Sequence, residues 1–275
     1  MSAARILTSP GTLITLAAAL LVCGCKPASG PQNVPADHGA PLSQSTASAS
    51  NSHLTPVSGP TGSIAGTVEL AGKPPARIEI DTSMDPACGL SHKPLSTEQY
   101  VVNQGKFANV FVYVKSGPPA AMNAAPASSA PAVLDQTACR YVPHVLGVMQ
   151  GGTVEFRNSY PTMHNVHTMP TTVGNQTIDL TMGPHGAPQT RQMDKAENLI
   201  PVRCNNHPWM NAFIDVAPTP FFAVTGADGK FDLTGLPPGD YVLGAVQEKL
   251  GEKTINVSVS ANHNAKADFT FSIPR

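Results

Sequence analysis

The sequence contains few charged residues and few aromatic residues for its length. Asp, Glu, Lys and Arg make up 13% of the 275 residues, Phe, Trp and Tyr make up 5%, and the formal net charge is -1. Because the chain has no basic tract, we expect no nucleic-acid partner. It also lacks the motifs G-x-S-x-G and H-E-x-x-H and a glycine-rich phosphate loop. We therefore expect no hydrolytic or phosphate site, assign no catalytic residue and predict that the protein is not an enzyme.

Turn-forming residues, in contrast, are abundant. The chain contains 23 glycines and 27 prolines, which interrupt helices and mark turns. This composition favours short strands joined by many turns over long amphipathic helices. The predicted fold class is all-β.

The N-terminal segment, residues 1–25, has the features of a signal peptide. Its apolar stretch at residues 13–22 is ten residues long, which is too short to span a bilayer as a helix. The stretch ends in Leu-Val-Cys-Gly-Cys and resembles the lipobox of bacterial lipoproteins. The resemblance implies a lipid on Cys25, and Lys26 favours the outer membrane; cleavage without lipidation is the alternative.

Residues 26–60 are rich in Ser, Ala, Pro, Gly and Asn and contain almost no large apolar side chains. Such a segment cannot bury enough apolar surface to fold. We expect a disordered tether between the anchor and the folded part.

One heptapeptide, Cys-Asn-Asn-His-Pro-Trp-Met, carries three potential metal donors, which are Cys204, His207 and Met210. Thiolate and thioether suit Cu(I), and imidazole suits both oxidation states of copper. The fourth donor is predicted to be His164, which follows a strand-like run. His167 is its rival, and strand alternation would place the two on opposite faces. Two His, one Cys and a weak axial Met are typical of blue-copper electron-transfer centres, so we predict one copper ion per chain.

Residues 139–217 resemble the cupredoxins of the amicyanin, pseudoazurin and plastocyanin type. The resemblance rests on Gly151-Gly-Thr-Val-Glu-Phe-Arg-Asn158, on His164-Asn-Val166 and on the short C-x-x-H-P-x-M loop, which is most like that of amicyanin. It implies a Greek-key β-sandwich. It also implies four copper ligands, namely His164, Cys204, His207 and Met210.

Three further residues have expected roles around these ligands. The cupredoxin resemblance implies that Asn165 braces the ligand loop by hydrogen bonding. Pro208 restricts its own backbone and that of the preceding residue, which stiffens the loop. Trp209 is either a hydrophobic cover for the site or part of an electron path. Nearby histidines and methionines, such as His144 and Met163, depart from the family pattern.

The C-terminal segment resembles carboxypeptidase regulatory-like domains, which are small prealbumin-type β-sandwiches. Its T-x-x-D-G-x-F turn at residues 225–231 normally follows a G-x-I-x-G-x-V strand closely, but here that strand, Gly62-Ser-Ile-Ala-Gly-Thr-Val68, lies about 150 residues earlier. We therefore expect residues 61–118 and 218–275 to form one split sandwich, with a copper module at 119–217 inserted. Two successive domains divided near Ala217 are the alternative.

Some segments between these motifs show little of the hydrophobic periodicity that marks strands or helices. Residues 119–132 are expected to be a disordered excursion, and residues 169–192 an irregular crossing. Residues 196–201 are expected to form a turn before a strand, Val202-Arg203, that delivers Cys204.

Three cysteines remain in the folded part, Cys88, Cys139 and Cys204. An extracytoplasmic location permits disulfides. With Cys204 on the metal, Cys88 and Cys139 are predicted to pair. Two free thiols, or a second metal site with His92 or His144, are the alternatives.

These features together predict an extracytoplasmic one-electron carrier. Copper carriage or sensing through the same ligands, and an envelope-anchored structural module, are the alternatives. The single mononuclear donor set and the lack of a repeated His-x-His pattern disfavour a multicopper enzyme. The amicyanin-like resemblance implies a periplasmic location and a dehydrogenase or c-type cytochrome as redox partner.

Overall fold

The computed structural model describes residues 57–91, 94–125 and 130–274, which form a nearly all-β protein. The predicted all-β fold class is confirmed. The expected signal peptide with Cys25 and most of the expected tether lie outside the described residues. Within the described ranges, none of the helices has the length and apolar character needed to cross a membrane.

The described chain contains nineteen strands and one short α-helix. The first part of the chain contains β1 (Gly62–Ala71), β2 (Val102–Asn103), β3 (Lys106–Phe107), β4 (Phe111–Ser116) and α1 (Pro119–Met122). The middle of the chain contains β5 (Ala132–Thr137), β6 (Arg140–Val142), β7 (Val145–Met149), β8 (Thr153–Asn158), β9 (His164–Thr168), β10 (Asp179–Met182), β11 (Gln189–Gln192), β12 (Glu197–Arg203) and β13 (Asn211–Ala217). The last part contains β14 (Phe222–Val224), β15 (Lys230–Leu236), β16 (Gly239–Gln247), β17 (Gly251–Val259), β18 (Asn264–Lys266) and β19 (Phe269–Ser272).

Two sheets combine strands from the first and last parts of the described chain, and we call them the outer sandwich. One has the order β15-β1-β3-β2, with β18 and β19 also paired to β1, and the other has the order β14-β4-β16-β17. A Cβ atom at Gly66 in β1 would lie 1.6 Å from the carbonyl oxygen of Ala267, so this close approach requires glycine. Strands on both sides of residues 119–217 therefore share the same two sheets.

Two further sheets lie within the middle of the chain, and we call them the inner sandwich. Their orders are β10-β9-β12-β13-β7 and β11-β8-β5-β6. Alternate residues of β8 and β12 are buried between them, as expected for strands with one face on a core. This packing brings the end of β12 and the start of β9 to one end of the sandwich.

Three segments differ from the sequence predictions. Residues 119–122 form α1, and Ala121 is buried in the core of the outer sandwich, so the predicted module boundary at 119 does not coincide with the packing. Residues 169–192 contain β10 and β11. Residues 197–203 form β12, although Pro201 lies within it next to an irregular register. Polar β11 has no apolar alternation, and proline disfavours a central strand, so β11 and the first part of β12 had no sequence signal.

An excursion of the chain extends from the outer sandwich to the inner one, and we call it the arm (residues 78–91 and 94–97). An isolated bridge joins Glu79 to Ser96, and a 3-10 helix at Pro86–Ser91 follows. Cys88 is buried in the core of the inner sandwich and forms a disulfide with Cys139. The arm is therefore covalently attached to the sandwich that it contacts.

Asp215 of β13 is a fully buried carboxyl group. Its Oδ1 accepts a hydrogen bond from the Leu199 backbone N–H at 2.8 Å, whereas Oδ2 has no hydrogen-bond partner among the described residues. Burial raises the pKa of Asp215 to about 7. Folding therefore disfavours the ionised form of this side chain.

We expect Asp215→Asn to raise the free energy of unfolding at pH 8 by on the order of a few kcal/mol. The folded-state pKa lies above the unfolded value of about 3.9, so the contribution of the native carboxyl is fully present below about pH 4. It is lost as the pH rises through about 7. Urea unfolding of both proteins from pH 4 to pH 8 measures this; a stability difference that does not change with pH would contradict the prediction.

Candidate metal centre

The candidate centre lies at the end of the inner sandwich where β12 runs into a tight turn. β12 ends at Arg203 and delivers Cys204, and β9 begins with His164 on the neighbouring strand. The turn returns to β13 through two backbone hydrogen bonds, from Met210 N–H to the His207 oxygen at 2.9 Å and from Cys204 N–H to the Met210 oxygen at 3.3 Å. A turn this short presents several side chains to one point.

Three donor side chains converge there, and all are buried. The donor atoms of His164, Cys204 and His207 lie within 4.8 Å of one another. The Nδ1 atoms of the two histidines are 3.0 Å apart, and the Cys204 Sγ lies 3.6 Å from the His207 Nδ1. Such an arrangement of two imidazoles and a thiol is suited to one transition-metal ion.

The distances fit a bound first-row metal. An ion about 2.0–2.1 Å from each nitrogen and about 2.3 Å from the sulfur separates neighbouring donors by roughly 3–3.6 Å. Burial, and to a smaller extent the charge of His207, lowers the pKa of His164 to about 4. The His164 imidazole is therefore neutral near pH 7 and able to ligate a metal.

The fourth predicted donor, Met210, lies at the end of the same turn. Its side chain is 1% exposed and belongs to the core of the inner sandwich. The three converging donors and this buried thioether make up the residue types of a blue-copper centre.

His167 does not join the cluster. It follows His164 on β9 but its side chain is one-third exposed, and its Nδ1 lies 3.7 Å from the Asp179 Oδ2. The structure thus brings His164, rather than its rival, to Cys204 and His207. His185 is exposed, and His144 pairs with the buried Glu248 at 2.8 Å.

Asn165 connects β9 to the ligand turn. Its backbone N–H donates to the Cys204 Sγ at 3.3 Å, and its side-chain oxygen accepts from the Asn205 N–H at 3.4 Å. Its side-chain NH₂ group donates to Asp179 and to the Leu180 carbonyl at 2.8 and 3.0 Å. An N–H donor facing sulfur stabilises the negative charge of a thiolate.

Cys204 is the free cysteine of the described residues, since the other two form the disulfide. Asp85, Cys88 and His207 also lie close enough to hold a metal, but the Cys88 sulfur is already bonded to Cys139. This second group therefore offers no thiolate ligand.

Trp209 donates from Nε1 to the Cys139 carbonyl at 3.1 Å, and its ring centroid lies 5.1 Å from that of His207.

One residue at the site carries no sequence signal. The Asp85 Oδ2 lies 2.9 Å from the His207 Nε2, although the two are 122 residues apart. The hydrogen bond to His207 lowers the pKa of Asp85. Only the turn-forming sequence Asp-Pro marked this position, and it indicates a helix start rather than a metal site.

The sequence matches no protein-family model, and no curated protein matches it. Among solved structures, the Cu-containing nitrite reductase from Thermus scotoductus SA-01 is 23% identical with a TM-score of 0.29, over 32% of this chain and 22% of that chain. An oxidised mutant of amicyanin is 23% identical with a TM-score of 0.28, over 31% and 81% of the two chains. A purple cupredoxin from Nitrosopumilus maritimus is 21% identical with a TM-score of 0.26, over 31% and 98%. This chain thus spans about a fifth of the nitrite reductase.

Proposed function

We propose that the protein binds one copper ion at His164, Cys204, His207 and Met210 and carries single electrons. The observation that carries this proposal is the convergence of two buried imidazoles on one buried thiol, with the buried thioether of Met210 at the end of the same turn. Bound copper would supply the Cu(II)/Cu(I) couple. No bond of a substrate needs to form or break, so we propose a carrier rather than an enzyme.

The residues of the chain support such a role in three ways. Burial of the donors excludes water from the site. The Asn165 N–H stabilises the charge of the Cys204 thiolate. The short turn and its two backbone hydrogen bonds hold the donors in one arrangement, and a site that suits both oxidation states reorganises little on electron transfer.

Location and partners complete the proposal. We place the protein outside the cytoplasm, held at the outer membrane by a lipid on Cys25 and separated from it by the 26–60 tether. This location agrees with the Cys88–Cys139 disulfide, because disulfides persist in oxidising compartments. The proposed redox partner is a dehydrogenase or a c-type cytochrome.

Copper carriage is the second candidate function. Two methionines near the first ligand are open to solvent, Met163 at 48% and Met169 at 37% exposed, and thioethers suit Cu(I). Met182, in contrast, is buried, and its sulfur lies 3.1 Å from the Gln136 Nε2. Only the first two are therefore available to receive or release metal.

The visible spectrum of the full chain loaded with Cu(II) tests the proposal. We expect an intense thiolate-to-copper band in the red, and we expect Cys204→Ser to remove it, because serine replaces the soft thiolate with a hydroxyl. The matched control is Asn205→Ser, an exposed position in the same turn, which should keep the band. A Cu(II) form without the band would contradict the electron carrier and favour copper carriage.

A further inference from the structure

The outward edge of the His207 ring faces the arm. The side chain of His207 is 5% exposed, and its Nε2 lies 2.9 Å from the Asp85 Oδ2. The ring is thus held between the donor cluster on its Nδ1 side and a carboxylate on its Nε2 side. This carboxylate belongs to an excursion of the outer sandwich, so the ligand environment is shared by two parts of the fold.

The Asp85 carboxylate is itself held in place. Asp85 precedes Pro86, the first residue of the 3-10 helix, and its Oδ1 accepts from the Ala87 N–H at 2.9 Å. Its Oδ2 accepts from the Thr162 hydroxyl at 3.0 Å. Oδ1 therefore caps the helix, whereas Oδ2 faces both the Thr162 hydroxyl and the His207 ring.

The arm that carries Asp85 is anchored next to the site. The Cys88–Cys139 disulfide joins it to the inner sandwich. The Tyr160 hydroxyl donates to the Ala87 carbonyl at 2.8 Å. The disulfide at Cys88 and the hydrogen bond to Ala87 thus attach the arm to the inner sandwich within three residues of Asp85.

A carboxylate accepts hydrogen bonds, and the Asp85 Oδ2 lies 2.9 Å from the His207 Nε2. Hydrogen bonding to this oxygen places the ring N–H on Nε2 and leaves Nδ1, which faces Cys204 and His164, free to bind a metal. Metal-binding histidines commonly donate their second N–H to a carboxylate, which sets the tautomer and ring orientation.

We propose that Asp85 is a positioning residue of the metal centre, supplied by the arm, that fixes the His207 ring with Nδ1 directed at the metal. This inference rests on the proposed function. It assigns the arm a role in metal affinity in addition to a role in packing. It also means that the His207 edge is covered by this chain's own carboxylate.

The test compares Asp85→Asn with Asp81→Asn in the full chain. Asp81 is an exposed residue of the same arm that accepts from the Ser83 N–H at 2.9 Å. We expect Asp85→Asn to weaken Cu(I) binding about 10–100-fold in competition with a chelator, and Asp81→Asn to leave it unchanged. In the metal-free protein, ¹⁵N NMR should show His207 protonated at Nε2, and this preference should be lost in Asp85→Asn.

A second variant separates positioning from folding. Thr162→Val removes the hydroxyl that holds the same carboxylate oxygen while leaving the helix cap in place, so we expect a smaller loss of affinity without a lower thermal midpoint. Unchanged affinity and an unchanged His207 tautomer in Asp85→Asn would overturn the inference. If Asp85→Asn fails to fold, unchanged affinity in Thr162→Val would overturn it. Failure of the unsubstituted chain to bind copper would instead overturn the proposed function.

Discussion

His164→Ala is expected to weaken copper binding by more than about 100-fold, beyond the loss typical of changing a residue that only supports a ligand, and to abolish the red absorption band. The variant removes one of three converging donors and leaves a hole beside Cys204 and His207. The His164 ring is fully buried and belongs to this donor group. Chelator competition and the visible spectrum measure both effects.

His167→Ala is the matched control for this experiment. His167 lies on the same strand, three residues further on, but its ring is directed towards Asp179. We expect this variant to keep the band and to bind copper within about two-fold of the unsubstituted chain, as surface substitutions usually change free energies by less than about 0.5 kcal/mol. A band that survives in His164→Ala and disappears in His167→Ala would reverse the ligand assignment.

The isolated fragment 218–275 is expected to show no cooperative unfolding transition. Its strand β15 pairs with β1, and its strand β16 pairs with β4, and both partners belong to the first part of the chain. Without them, the sheet edges are unpaired and the apolar faces that include Phe231, Leu243 and Phe271 lose the rest of their core.

Urea titration followed by far-ultraviolet circular dichroism tests this expectation, with the full chain as control. The full chain should unfold cooperatively, and the fragment should remain unstructured at every urea concentration. A cooperative transition in the fragment would favour two successive domains divided near Ala217 over a split sandwich.

Much of the fold and the donor set followed from local patterns. The strand motifs at residues 62–68 and 151–158 lie in β1 and β8, and the turn expected at residues 225–231 contains Gly229, whose φ is positive. The spacing of Cys204, His207 and Met210 needs only one tight turn to bring the three together. Such short-range patterns predict local structure because the interacting residues are close in the chain.

Other elements could not be predicted from the sequence, and the reasons are again physical. β11 is a polar strand without apolar alternation, and β12 contains Pro201. Ala121 was expected to be disordered because residues 119–132 are rich in Ala, Pro and Ser, yet its side chain is buried in the core of the outer sandwich. In each case pairing or packing with distant strands outweighs the weak local preference.

Taken by itself, the sequence determined the all-β class, the donor types and their arrangement in one turn, because residue chemistry and short-range spacing suffice for these. The tertiary structure brought His164, and not His167, next to Cys204 and His207, because this proximity depends on how β9 lies against β12. It also brought Asp85 to His207 from 122 residues away. Contacts of that kind depend on which strands pair and where the arm is anchored. Local sequence patterns predict neither the strand pairing nor the position of the arm.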